Sequence, residues 1–257
     1  MYRYFPFVIL FVIVLLASCD SETEERRVFQ PGVEQKVQVD FTALQDSLMN
    51  VSSKDELVKL LTRYPVIRDY IFRRAEYPDD SVFVQELYNR FTNPHFDTLQ
   101  LEVKKVFGDL TSLKSQFEEA FTNLKYYYPD FKTPKIQAVV SGLVDNDLFV
   151  SDSLIIVSLD FFLGKDAKYR PKMYNYLLRK YDPNDIVPSC MLIYGISNRY
   201  NKSRQSDQTV LADMITYGKA FYFAKHMLPC EADSVFIWYT PEEIQGSRKN
   251  EDLIWAR

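Results

Sequence analysis

Apolar residues recur in steps of three and four through the first half of the chain, and this spacing is the strongest constraint on its fold. From Asp97 to Lys125 the steps mark one buried stripe along a helix of about seven turns, because residues three and four apart share a helix face. Gln100 stands at the capping-box position after Asp97, and Tyr128-Pro129 ends the helix because proline cannot continue it. The stripe consists of Leu99, Val103, Val106, Phe107, Leu110, Leu113, Phe117, Phe121 and Leu124. We expect a core-forming helix here and not a cofactor site.

The whole region from Asp40 to Lys125 shares this helical character. Ser53 with Glu56 three residues later predicts a capped helix start. Ser81 predicts the start of a further short helix.

The pattern changes at Lys132, where short runs rich in β-branched residues begin. Residues 135–141 and 153–159 predict strands, and the Asp-Asn-Asp sequence at 145–147 predicts a turn between them. Helical patterns then resume at 171–181, 185–200, 209–228 and from Thr240 onward. This order predicts an α+β fold that is mostly helical, with a small sheet of two to four strands packed with helices.

The N-terminus has the layout of a secretory signal peptide. Arg3 precedes an apolar run from Phe5 to Leu16, and small residues then lead to Cys19. The run is too short for a membrane-spanning helix, which needs about 20 apolar residues. Residues 16–19 resemble the lipobox of bacterial lipoproteins, in which the cysteine thiol receives a diacylglycerol and becomes the N-terminus after cleavage. The alternative is an ordinary signal peptide that contains a cysteine by chance.

These features divide the chain into three predicted parts. Residues 1–18 form the signal peptide, residues 19–39 the lipidated cysteine with a flexible polar tether, and residues 40–257 a single globular domain. Two or more acyl chains anchor a protein stably. We therefore expect an envelope protein whose lipid anchors it to the inner or outer membrane, with the domain facing the periplasm. Acidic residues after Cys19 faintly resemble a surface-export signal, and a solvated linker is the simpler explanation.

Composition argues against several functional classes. With 7 glycines in 257 residues, Gly-rich phosphate loops are not expected, and a net charge of -4 with scattered basic residues argues against nucleic acid as a partner. The sequence contains two histidines, and none of the HExxH, G-x-S-x-G or P-loop motifs. We therefore predict no catalytic residue, no metal ligand and no cofactor. Cys190 and Cys230 either form a disulfide or remain free thiols, and His226 is expected to meet the last carbonyls of its helix.

Two segments carry polar residues within apolar surroundings. The first contains Asp160 and Lys165, and the second, within the helix at 209–228, contains Asp213 and Lys219. A buried aspartate needs a partner, and either lysine is a candidate. Gly218 within a helix costs about 1 kcal/mol relative to alanine, which suggests close packing against another backbone. The predicted apolar side of this helix is Leu211, Met214, Ile215, Ala220, Phe221 and Phe223.

Three motifs resemble the gliding-motility lipoprotein family GldB of Bacteroidetes. They are YYPDFKTPKI from Tyr127, LDFFLGKDAKYRP from Leu159 and LADMITYGKAFYF from Leu211, and the lipobox and the final YTPEE and NEDLIW agree. The resemblance implies a role in gliding motility and the type IX secretion apparatus, other envelope lipoproteins of that apparatus as partners, and no established catalytic activity. It marks a set of family-motif residues that form either a structural junction between sheet and helix or a cleft: Asp160, Gly164, Tyr169, Pro171, Asp213, Tyr217, Gly218 and Lys219.

The same family is distantly similar to predicted zinc proteases of the HExxH type. The resemblance places their metal motif near Ile186–Tyr200, where this chain has neither histidine nor glutamate, and Tyr217 precedes the glycine where a further ligand is expected. A zinc site needs three protein ligands. The resemblance therefore implies a zincin-like scaffold without a metal site. Family members continue past the NEDLIW segment, so we also expect a C-terminally shortened domain.

Three functions remain open on this sequence. The first is a non-catalytic envelope lipoprotein that assists assembly or stability of a motility or secretion machine. The second is a surface lipoprotein that binds glycans or peptides. The third is a metallopeptidase-like hydrolase with an atypical site.

Overall fold

One small mixed sheet lies at the centre of the fold. The computed structural model describes residues 36–144, 146–203 and 208–256. Among these residues the sheet has the strand order β1-β2-β4-β3, with β1 at Phe41–Ala43, β2 at Lys135–Val139, β3 at Leu148–Val150 and β4 at Leu154–Ser158. The strand β2 pairs in parallel with β1 and β4, and β3 pairs antiparallel with β4. The predicted α+β fold with a small sheet is confirmed.

Helices make up most of the described chain. The α-helices there are α1 Gln45–Met49, α2 Lys54–Arg63, α3 Asp80–Phe91, α4 Pro94–Phe107, α5 Thr111–Tyr127, α6 Ile186–Ile196, α7 Val210–Met227, α8 Asp233–Ile237, α9 Pro241–Lys249 and α10 Glu251–Trp255. Short 3-10 turns occur at Arg74–Glu76, Leu159–Phe161, Leu177–Lys180 and Pro183–Asp185, and a π-helical turn at Ile67–Ile71.

The two central strands are the predicted β-branched runs. Ile136 of β2 and Ile155 of β4 are fully buried neighbours in register, and so are Ala138 and Val157. A strand covered on both faces is expected to read as a near-continuous apolar run, which is why these two strands were visible in the sequence.

The strand β1 corrects the prediction that residues 40–125 are helical throughout. The Leu44 N–H donates to the Ala138 carbonyl, and the Ile136 N–H donates to the Asp40 carbonyl, both at 2.8 Å. Three residues are too few to show an alternating pattern, so pairing with β2 determines this strand.

The single long helix predicted from Asp97 is wrong, because the chain forms α4 and α5 with a turn between them. Gly108 has φ +58° and Leu110 has φ +67°, and this left-handed conformation ends α4. The apolar stripe continues across the turn because both helices pack on the same core. The start is also earlier than predicted, since Asn93 caps the helix and Pro94 occupies its first turn.

The predicted apolar side of α7 is largely wrong. Leu211 is 61% exposed, and Met214 and Ile215 are exposed as well. The buried side is formed by Ala212, Thr216, Ala220, Phe223, Ala224 and Met227. Because α7 is apolar on both sides, the sequence pattern alone does not identify which side faces the core.

The predicted helix at 171–181 is also wrong, since only the 3-10 turn Leu177–Lys180 forms there. Tyr174 and Tyr176 are strongly exposed. Helical stability in proteins comes mainly from packing of an apolar face, and this segment buries too few side chains to support a helix.

Besides the start near Asp97, the predicted helix starts are confirmed at three positions and shifted at one. Ser53, Thr209 and Thr240 are N-caps whose side chains accept a hydrogen bond from the first turn, and Thr240 forms a full capping box with Glu243. The helix predicted to begin at Ser81 is capped instead by Asp79.

The chain before β1 already packs on the domain. The Val37 N–H donates to Thr122 Oγ1 and the Val39 N–H donates to Glu118 Oε1. Val39 is buried. The last residues of the predicted tether therefore lie along α5.

Candidate functional site

Asp160 joins the ends of two neighbouring parallel strands. It lies in the turn directly after β4 and is fully buried. Its Oδ1 accepts from the Ser141 N–H at 3.0 Å, and its Oδ2 accepts from the Leu143 N–H at 2.6 Å, both in the loop that follows β2. The Ser141 hydroxyl lies 3.3 and 3.2 Å from the two carboxyl oxygens. The predicted lysine partner is therefore wrong: backbone N–H groups and a serine hydroxyl satisfy this carboxyl.

Two opposing effects act on the Asp160 carboxyl. Burial raises its pKa, because the charged form loses hydration, while the hydrogen bonds from Ser141 and Leu143 favour the charged form. Burial is the stronger of the two. Because both oxygens already hold protein donors, this carboxyl is positioned to hold two loops together.

Gly164 places the following segment against the fold. It adopts φ +83°, a left-handed conformation that glycine tolerates better than residues with a Cβ. Its N–H donates to the Tyr181 carbonyl at 3.0 Å. Tyr169 then contacts α4, with its Oη 2.8 Å from His95 Nδ1, and Pro171 is buried. Three family-motif residues thus fix the course of residues 164–171.

This segment forms one wall of a cleft of about 800 Å³. Residues 234, 235 and 238–240 line the cleft as well. Trp238 there has a buried indole N–H without a hydrogen-bond partner among the described residues. Charged groups of both signs line it: Lys165, Asp166, Arg170, Arg179, Asp182 and Asp185. Arg179 pairs with Glu243 of α9. Apolar and charged side chains share the lining, and neither sign of charge dominates.

Asp185 is a carboxyl of this cleft whose pKa is clearly shifted by burial. Burial raises its pKa to about 7, and the nearby charge of Asp182 adds to the shift. A carboxyl that titrates near neutrality is suited to general acid or base chemistry. However, Asp185 Oδ2 accepts the Asp182 N–H at 2.9 Å and closes the capping box of the turn Pro183–Asp185. This contact gives the residue a structural role.

The family-motif residues of α7 do not join Asp160. Lys219 is exposed, and its Nζ donates to Ser203 Oγ at 2.8 Å, while Asp213 is partly exposed. Gly218 is exposed, and a Cβ there would meet no atom within 4 Å. The predicted close packing at Gly218 is therefore wrong, and the junction of Asp160 with this helix is not formed.

The close helix contact is made by a different glycine. A Cβ on Gly195 of α6 would lie 2.9 Å from the Ala220 Cα and 3.0 Å from the Ala220 carbonyl oxygen on α7. The backbones of α6 and α7 therefore approach each other where both residues are small.

Tyr217 lies at a second, smaller cavity of about 270 Å³. Phe162 and Trp238 also line it, so Trp238 borders both this cavity and the larger cleft. Tyr217 is thus the motif residue of α7 that lines a cavity together with Phe162 of the LDFFLGKDAKYRP motif.

A comparison with protein families matches this chain over residues 27–257 to the family described as gliding motility protein GldB. The chain belongs to the GldB family. Neither the curated proteins nor the solved structures gave a match. The likeness to zincin scaffolds therefore remains a prediction.

Membership of the GldB family implies a lipoprotein related to gliding motility and held at a membrane of the cell envelope. Cys19, the predicted lipidation site, lies outside the described residues. In the ranges that the structure describes, no helix is both long and apolar enough to cross a membrane.

Both histidines and two of the cysteines of this GldB protein lie among the described residues. Cys190 is buried, and burial raises the pKa of its thiol, while Cys230 is exposed. The two cysteines form no disulfide, so that alternative is not realised. His226 Nδ1 lies 2.8 Å from the Tyr222 carbonyl oxygen, as expected near a helix end. Across the described chain, no three His, Cys, Asp or Glu side chains come together as a metal site.

Sequence reasoning missed Asp185, Gly195 and Gln100. Asp185 follows a proline and an asparagine, a local turn signal that gives no sign of burial. Gly195 stands within an apolar helix and is the glycine to which the packing argument applies. Gln100, at the predicted capping-box position, is buried beside a cavity and caps no helix.

Proposed function

We propose that this GldB protein is a non-catalytic, lipid-anchored envelope protein that assists the assembly or stability of the gliding and type IX secretion machinery. Membership of the GldB family supports the location in the cell envelope, and the outer face of α7 supports the role in assembly. This face consists of exposed apolar residues: Val210, Leu211, Met214, Ile215 and Tyr222.

The outer face of α7 is the single observation that carries the proposal. Its residues lie on the side of the helix opposite Ala212, Thr216 and Ala220, which are buried. A helix that is apolar all round is normally buried on all sides, and contiguous exposed apolar surface marks interaction sites. An assembly factor needs such a surface, whereas an enzyme that acts alone does not.

The surroundings of this face favour a protein over a lipid bilayer as the occupant. Helices that lie in a bilayer interface are rich in lysine and arginine beside the apolar face. Asp213 and Lys219 flank the face, one charge of each sign, and Lys219 is bonded to Ser203. We therefore assign the face to the apolar surface of another protein of the envelope machine.

The motif residues support the absence of catalysis. Asp160 and Gly164 hold loops in place, and His95 and His226 are engaged by Tyr169 and by a helix carbonyl. The competing function is an atypical hydrolase, and Asp185 in the large cleft is the residue that favours it because its pKa is raised to about 7.

A pair of matched substitutions in the full chain tests the assembly role. Ile215 on α7 and Val58 on α2 are each 44% exposed, so a glutamate at either position should leave folding and membrane attachment intact. We expect Ile215→Glu to abolish gliding or secretion in the host and Val58→Glu to leave both at wild-type level. Normal function of an abundant Ile215→Glu protein would refute the role of the face.

Asp185→Asn separates assembly from hydrolysis. The asparagine oxygen still accepts the Asp182 N–H, so the turn should be preserved. The assembly proposal expects wild-type gliding and secretion from this variant. A folded and abundant Asp185→Asn protein without function would favour the hydrolase instead.

A further inference from the structure

A cavity of about 440 Å³ lies apart from the large cleft, beside the end of β1. It is enclosed by the start of α1, the second half of α4 and the turn at 108–110. Ala43 ends β1 and Val140 directly follows β2, and both line the cavity. The cavity therefore opens at the carboxyl ends of two parallel strands, which is where ligands bind in open parallel sheets.

Gln100 of α4 is the unusual residue of this cavity. It is 4% exposed, and neither its Nε2 nor its Oε1 has a hydrogen-bond partner among the described residues. Gln45, also in the cavity wall, has a buried Oε1 without a partner. Buried side-chain polar atoms are usually paired, and an unpaired one is destabilising because it has lost its hydrogen bonds to water. Three such atoms at one cavity indicate a site whose hydrogen bonds are completed by something else.

The chemistry of the wall limits what can complete them. The Gln100 amide presents an acceptor next to two donors, which matches the paired N–H and C=O of a peptide bond. Around the glutamines the lining is apolar, with Val103, Phe107 and Leu110. A sugar brings several hydroxyl groups that each need a partner, and this wall does not supply enough of them.

The mouth of the cavity argues against an anionic ligand. Asp46 and Asp109 stand there with one cation, Lys104, and all three are exposed. The Thr111 N–H lowers the pKa of Asp109 and favours its charged form. A neutral apolar chain that carries amide groups avoids the repulsion that a carboxylate or phosphate would meet.

We infer that this cavity binds a short apolar segment of another polypeptide. The side-chain amide of Gln100 would form hydrogen bonds with a main-chain amide of that segment, and Gln45 would provide a second acceptor. The inference stands independently of the assembly role of α7, because it rests on a different surface. It predicts recognition of backbone amides flanked by small apolar side chains.

Binding to the full-length lipidated protein in detergent provides the test. The probe is a fluorescein-labelled, capped peptide of alternating alanine and valine. The control is the same peptide with every backbone nitrogen methylated. We expect saturable binding of the first by fluorescence polarisation and at least tenfold weaker binding of the second, because methylation removes the N–H donors.

Gln100→Leu keeps approximate side-chain volume and removes the amide. It should weaken peptide binding at least tenfold without lowering the melting temperature, because the replaced amide has no partner in the free protein. Gln85→Leu is the matched control, since Gln85 on α3 is bonded to Asn89 and Lys54 outside the cavity, and it should bind as wild type does. The inference would be overturned if the methylated peptide bound equally well or if Gln100→Leu bound the peptide as wild type does. It would also be overturned if binding did not saturate at millimolar peptide, since water would then be the occupant.

Discussion

A Cβ on Gly195 would lie 2.9 Å from the Cα of Ala220, so the helices α6 and α7 meet backbone to backbone at these two residues. Contacts this short are not found for real Cβ atoms, so any larger residue at 195 must push the helices apart. We expect Gly195→Ala to lower the free energy of unfolding by about 1–3 kcal/mol, the usual range for overpacking. Chemical denaturation of the full chain measures it.

Gly218 provides the control for that measurement. It also lies within a helix, but a Cβ there meets no atom within 4 Å. Gly218→Ala should therefore stabilise the protein by about 0.5–1 kcal/mol, the helix preference of alanine over glycine. Equal destabilisation by both substitutions would contradict the contact between Gly195 and Ala220.

These two glycines show what the sequence can and cannot predict. A glycine within a helix indicates close packing at Gly195 but not at Gly218. Both glycines stand in apolar helices, and the difference between them is which side of each helix faces its neighbour. That side was undetermined for α7, because Leu211 and Met214 on its exposed side are as apolar as the buried Ala220.

Helix caps and short apolar strands, which depend on local sequence, are predicted more reliably than the side of a helix that faces the core. The N-caps Ser53, Thr209 and Thr240 depend on bonds within one turn, and the strands β2 and β4 on short apolar runs. The strand β1 depends on pairing with β2, so periodicity does not predict it. The break at Gly108 is local, but the apolar spacing continues across it and conceals it. For the candidate site, the sequence places both Asp160 and Asp213 within apolar runs and does not distinguish the buried Asp160 from the partly exposed Asp213. The partners of Asp160, Ser141 and Leu143, follow from strand order, which the sequence does not state.

Asp160 should contribute to function by stabilising the folded protein. Asp160→Ala leaves the N–H groups of Ser141 and Leu143 without an acceptor, at about 1–3 kcal/mol for each stranded donor. We expect a lower melting temperature and a lower amount of protein in the envelope, with any functional defect in proportion. Asp166→Ala, on the exposed part of the same segment, should change stability by less than about 0.5 kcal/mol. An Asp160→Ala protein as stable as wild type would contradict the proposed role.

Cys19 should determine membrane attachment. Cys19→Ala removes the thiol that receives the diacylglycerol, and a protein without acyl chains has no stable anchor. We expect the variant to remain unprocessed or to appear in the soluble fraction, as detected by immunoblotting of fractionated cells. Cys230→Ala, which alters an exposed cysteine of the folded domain, should fractionate with membranes as wild type does. Normal membrane association of Cys19→Ala would refute lipidation at this residue.

Asp185 should make stability fall as the pH rises through the weakly acidic range. Its pKa is raised from 3.8 to about 7 in the folded protein, so the folded state holds this proton more tightly than the unfolded chain does. Below about pH 4 both states are protonated, and between about pH 4 and 7 the unfolded chain releases the proton first, which favours unfolding. Asp185→Asn cannot ionise and still accepts the Asp182 N–H, so its stability should decline less than that of wild type over this range.

The raised pKa of the buried Asp160 acts in the same direction in both proteins and cancels in the comparison. Urea denaturation at half-unit steps from pH 4 to 8 measures the difference, and parallel profiles for the two proteins would show that Asp185 does not titrate as inferred.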